Sequence, residues 1–77
     1  MQDVDKKTLQ RLGKCIKTIR LKRKWKLSTM SHYAGISPST LKRIEAGSSE
    51  PKYLTLEKLA SSFELSLIEF LKLCENI

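Results

Sequence analysis

The side chains best equipped for chemistry in this 77-residue chain are cationic and unpaired with any catalytic partner. In "GISPSTLKRIEAG", Gly35 to Gly47, Leu41 and Ile44 form an apolar pair at i, i+3. On a helix that pair faces inward, and Ser39, Lys42, Arg43 and Ala46 face outward. The outward groups supply a hydroxyl, an ammonium and a guanidinium, which are donors for an anion or a hydrogen-bond acceptor. They are not a nucleophile with its base. The chain also has no paired carboxylates in a pocket pattern, no phosphate-cradling glycine loop and no metal-ligand spacing. His32 has no Cys or acidic partner and reads as surface. Cys15 and Cys74 are too few for a disulfide framework, and both lie at apolar or semi-apolar helical positions. They read as buried thiols in a reducing compartment. An enzyme is therefore not expected, nor a metal, nor any cofactor.

Charge points to a partner. The net charge is +7, and no acid occurs between Asp5 and Glu45. Residues 1–44 carry twelve Lys/Arg against two acids, a balance of +10. Residues 45–77 carry three against six, a balance of −3. Such asymmetry suggests a polyanion. An acidic membrane surface is compatible with charge alone. However, the apolar residues beside "RLKRKWK" are already used by a helical core stripe. The N-terminus has no apolar leader, and no apolar run approaches spanning length. The chain reads as soluble and cytoplasmic, with no membrane partner.

The elements that position these groups are helical. Alternating apolar–polar runs are absent, which argues against strands. Leu9, Leu12, Ile16 and Ile19 give a first helix from about Lys6 to Lys24, with residues 1–6 as a disordered tail. A second segment, about Leu27 to Ala34, turns Met30 and Ala34 inward and ends at Gly35, a residue able to take φ > 0. The third starts with Ser37 as N-cap and Pro38 at N1, where a missing N–H costs nothing. Pro51 bars its continuation. The fourth, about Leu54 to Phe63, presents Leu56, Leu59, Ala60 and Phe63. The last opens on a Ser66–Glu69 capping box and buries Leu67, Phe70, Leu71 and Cys74. Trp25, Ile36, Tyr53 and Leu65 fill from the connections. Five short helices around one core, a single all-α domain over 1–77, is the expected fold class.

Two short helices joined by a tight glycine turn form a helix-turn-helix pattern. "LGKCIKTIR", "AGISPSTLKRIEAG" and the "TLEKLASSFELS" run together resemble the phage-repressor-like, or XRE/Cro-type, helix-turn-helix family from about Leu9 to Leu71. The resemblance implies a compact, lambda-repressor-like five-helix DNA-binding domain with the motif at the second and third helices. Gapless counting from "LGK" and "AG" puts Trp25 at the family's core leucine, Lys26 at its capping Ser/Thr and Leu27 at its glutamine. The chain has thus lost a capping side chain, worth about 1 kcal/mol, and a polar group that braces phosphate. Leu27 keeps a backbone N–H for that task, and Lys26 and Ser28 add charge and a hydroxyl.

In this family the N-terminal half of the third helix enters the major groove. Carried over, Ser39, Thr40, Lys42 and Arg43 are the candidates for base edges, with Pro38 offering an apolar contact to a thymine methyl. Arg43 is the foremost, because bidentate Arg to guanine O6 and N7 is the commonest specific contact, worth about 1–3 kcal/mol. The candidates for backbone contact are Lys26, Leu27, Ser28, Ser37, Ser48, Ser49 and Lys52. Glu45 resembles the family's glutamate that pairs with an arginine near the end of the first helix, here Arg20. That pair is expected to be structural.

The resemblance implies a sequence-specific regulator of transcription, most simply a repressor, on double-stranded DNA. One short reading helix sees few base pairs, so a homodimer on a pseudo-palindrome is expected, with half-sites about 34 Å apart. Ile68, Leu73 and Ile77 are leftover apolar residues for its interface. The alternatives are an antitoxin-like or restriction–modification controller protein with autoregulatory DNA binding, and a protein-only helical adaptor.

Overall fold

The computed structural model describes the backbone of residues 3–76 and the side chains of residues 5–76. Among these residues the chain forms five helices: α1 (Asp3–Lys22), α2 (Leu27–Ala34), α3 (Pro38–Glu45), α4 (Tyr53–Ser62) and α5 (Leu67–Glu75). Helix α1 packs on α3 and α5, α2 on α3 and α4, and α4 on α5. The molecule measures 32 × 25 × 22 Å.

The first helix starts earlier than its apolar rhythm indicates. Residues 3–6 are helical, ahead of the expected start near Lys6. Asp5 in the first turn favours this start, since a carboxylate there meets the positive end of the helix dipole. Residues 1 and 2 lie outside the described residues.

Cys15, Ile16, Ile19, Met30, Ala34, Leu41, Ile44, Leu59, Ala60, Phe63, Phe70 and Cys74 make one buried cluster. Leu12, Trp25, Leu27, Ile36, Leu56, Leu65 and Leu67 pack around it. Two expectations fail. Tyr53 is 68% exposed, because it is the first residue of α4 and points away from the core. Leu71 is 40% exposed, because Phe70 and Cys74 already fill the buried stripe of α5.

The cysteines are also corrected. Cys15 and Cys74 are joined by a disulfide across 59 positions of sequence. Each occupies the buried stripe of its helix, and α5 lies on α1, so the two meet. Closing so long a loop restricts the unfolded chain by about 4 kcal/mol in the chain-entropy account, a large contribution for a domain this small.

The helix ends share one device. Trp25 N–H reaches back to Arg20 O, Ile36 to Ser31 O, Ser48 to Arg43 O and Leu65 to Ala60 O, at 3.0–3.1 Å. Each closes a six-residue loop through a residue of positive φ. Gly35 fills that position after α2, with φ 70°. After α1 and α4 it is filled by Lys24 (φ 59°) and Glu64 (φ 60°), where a side chain makes the left-handed conformation costly.

Candidate nucleic-acid interface

Helix α3 is fixed from below and left open above. Leu41 and Ile44 are fully buried, and Gly13 of α1 lies directly against the carbonyls of Ile44 and Glu45. A Cβ at Gly13 would collide with both, so the absence of a side chain sets the distance between α1 and α3. Arg20 completes the joint. Its Nε donates to Glu45 Oε2 at 2.8 Å and its Nη2 to Oε1 at 3.1 Å. Nη1 donates to the carbonyl of Trp25 at 3.0 Å. Both partners are about nine-tenths buried, and the bidentate geometry matches a planar fork to a carboxylate. One cation therefore holds the end of α3 and the entry to α2.

At the start of α3, four candidate residues meet in one hydrogen-bonded group. Ser37 Oγ accepts from the Thr40 N–H at 3.1 Å and donates to Thr40 Oγ1 at 2.8 Å. Ser39 Oγ lies 3.3 Å from Ser37 Oγ, and Arg43 Nη2 is 3.5 Å from Thr40 Oγ1. Ser37 is thereby committed to capping. Thr40 keeps its own O–H to donate, and the Arg43 fork keeps most of its donors. Pro38, Ser39, Lys42 and Arg43 are exposed and Thr40 is half-buried.

The flanking candidates lie at other helix ends. Lys26 is the N-cap of α2 and makes no side-chain cap bond. The first N–H groups of α2, from Leu27, have no partner within a helix. The Leu27 side chain packs on the core, while Ser28 is exposed. Beyond α3, Ser48 donates its hydroxyl to Arg43 O at 3.1 Å and so finishes the helix. Ser49 is half-buried, and Lys52 is exposed at the uncapped start of α4. Ile68 and Leu73 stand on α5, 69% and 40% exposed. Ile77 lies outside the described residues.

Sequence reasoning missed Arg23. It donates to Phe63 O at 2.9 Å and lies over the rings of Trp25 and Phe63, 5.1 and 5.4 Å from their centroids. It closes the α4–α5 corner, although within "RLKRKWK" it looks like one more free cation. Only the tertiary fold distinguishes it from its neighbours. His32 and Tyr33 are exposed, and Tyr33 packs on Trp25 with centroids 5.0 Å apart. Among the described residues no helix is long and apolar enough to cross a membrane, and no cluster of His, Cys, Asp or Glu is arranged to hold a metal ion.

The helix-turn-helix family model HTH_3 matches residues 16–70. The chain belongs to this helix-turn-helix family. Among solved structures, an HTH_3 family transcriptional regulator from Vibrio cholerae superimposes with a TM-score of 0.80 and 31% identity. The match covers 88% of this chain and 38% of that one, so the chain spans well under half of that regulator. The clp gene regulator ClgR from Corynebacterium glutamicum gives a TM-score of 0.78 at 19% identity, over 88% of this chain and 72% of its own, a likeness of fold. No curated protein matches the sequence.

Proposed function

We propose that the protein is a sequence-specific double-stranded-DNA-binding transcriptional regulator, acting as a repressor in the cytoplasm. The observation that carries this reading is the mounting of α3. Its inner face is locked by Leu41, Ile44 and the Arg20–Glu45 pair, while Ser39, Lys42 and Arg43 stand open on its outer face. A rigid helix with free donors, in a half-chain of charge +10, suits a groove lined by phosphates. Backbone contacts position the domain: Lys26, the N–H groups from Leu27, Ser28, Ser49 and Lys52. Base edges then specify the site through Arg43, Lys42, Ser39 and Thr40. Ser37 and Ser48 contribute through the backbone they cap. Two copies, meeting through the exposed apolar face of α5, would read a pseudo-palindrome with half-sites about 34 Å apart.

The test is selection of bound duplexes from a random library, repeated with Arg43→Ala. A motif with a guanine preference that Arg43→Ala relaxes is the expected result. Absence of any motif, or an unchanged preference, refutes the assignment.

A further inference from the structure

We infer that the Cys15–Cys74 disulfide is a thiol-exchange site that latches α5, opened by attack of a low-molecular-weight thiol on Cys74. The two cysteines differ in exposure. Cys15 is fully enclosed between the helices, whereas Cys74 retains 6% of its surface. Cys74 also lines an apolar groove of about 270 Å³, together with Leu12, Leu56, Leu71, Arg11 and Glu75. Arg11 and Glu75 are the charged residues of its lining. A thiolate entering here meets Cys74 before Cys15, which has no exposed surface.

The exchange balances without any other reagent. The thiolate forms a mixed disulfide with Cys74, and the sulfur–sulfur bond breaks with its electron pair going to Cys15. Cys15 takes up a proton. A second thiol then attacks the mixed disulfide, releasing the oxidised thiol and leaving Cys74 as a thiol. Two thiols are oxidised to one disulfide while the protein's disulfide is reduced to two thiols. The reverse reaction, with the small disulfide as oxidant, closes the latch.

Opening the latch affects α5 more than the reading helix. Cys74 is in the last turn of α5, and α5 packs chiefly on α4 and α1, whereas α3 packs chiefly on α1 and α2. Helix α3 is held separately by Gly13 and Arg20. Reduction therefore frees the end of α5, next to Leu71 and Leu73, and leaves α3 in place. Intracellular disulfides of mesophilic proteins are mostly transient and redox-sensing, which fits a bridge with one cysteine at a groove. The consequence for subunit contact rests on the dimer proposed above.

The experiment treats the oxidised full chain with reduced glutathione, quenches with acid and alkylation, and maps the adduct by mass spectrometry. Amide hydrogen exchange is followed on both forms. The expected results are a glutathione adduct on Cys74 and exchange over residues 71–75 that quickens roughly tenfold more than over α3, whose amides feel only the loss of global stability. A bridge that stays closed in the folded protein, an adduct on Cys15, or equal loosening of α3 overturns the proposal. A Cys15→Ala/Cys74→Ala chain should reproduce the loosened α5 without any thiol; a tight α5 in it also overturns the latch. Sedimentation of both forms reads the subunit contact. If both are monomeric, the dimer reading fails while the exchange data still decide the latch.

Discussion

The Arg20 guanidinium grips both carboxylate oxygens of Glu45, at 2.8 and 3.1 Å, from a position almost closed to solvent. Removing one partner strands the other. Breaking a buried pair this way costs about 3–5 kcal/mol. Arg20→Ala and Glu45→Ala should each lower the unfolding free energy by that much, read as a lower urea midpoint at unchanged m-value. The double variant should cost much less than their sum. Simple additivity would show that the pair does not act as a unit.

Gly13 provides a contest between two effects of opposite sign. In a free helix Gly13→Ala would stabilise by about 1 kcal/mol. Here the new methyl meets the carbonyls of Ile44 and Glu45, backbone atoms that cannot rotate away. Overpacking of that kind costs about 1–3 kcal/mol. Gly13→Ala should therefore lower thermal stability and weaken DNA binding, because α3 is pushed outward. A rise in Tm would show that α1 and α3 are less closely joined.

Lys24 and Glu64 sit in the left-handed region, which costs an L-residue about 1–2 kcal/mol. Glu64→Gly relieves this but adds freedom to the unfolded chain. The strain relief is the larger effect, so Tm should rise by a few degrees. Lys24→Gly tests the same device after α1 while also removing a charge. A fall in stability for both would mean that the side chains make compensating contacts.

Arg43 and Lys52 should separate base reading from backbone attachment. Arg43→Ala is expected to lose about 1–3 kcal/mol of discrimination at one base pair. Lys52→Ala should weaken binding to all sequences alike and reduce the salt slope by about 1. Fluorescence anisotropy at several salt concentrations, on the selected duplex and on a scrambled one, distinguishes them. An Arg43 variant that behaves as Lys52 does would move Arg43 to the phosphates.

Much of this architecture is written locally. Ser37, Pro38 and the Ser66–Glu69 box announce their helices, because a cap needs only neighbours in sequence. Leu41 and Ile44 likewise orient α3. Contacts between distant segments are not local. Cys15 and Cys74 each read as buried, but their bond depends on α5 returning to α1. Arg23 is one cation in a basic run until Phe63 is folded against it. Tyr53 looks like core by composition and is placed outside by where α4 begins.

Glu69 gives the fold a pH dependence of definite sign. Its carboxylate accepts from the Ser66 N–H at 2.8 Å, and its own N–H donates to Ser66 Oγ at 3.1 Å. The bond from the Ser66 backbone, and then that from the Ser66 side chain, hold its pKa below the ordinary carboxylate value. A depressed folded pKa means stability that is complete above the unfolded value, near 4.3, and lost as pH falls through the folded one. Helix α5 should therefore be firmest at neutral pH and fray at its start in acid. Comparing wild type with Glu69→Gln isolates the effect: their difference in stability should be constant at neutral pH, shrink as pH falls below the unfolded value near 4.3, and vanish once pH is below the folded one. A constant difference across that range would mean that the carboxylate charge contributes nothing to the cap.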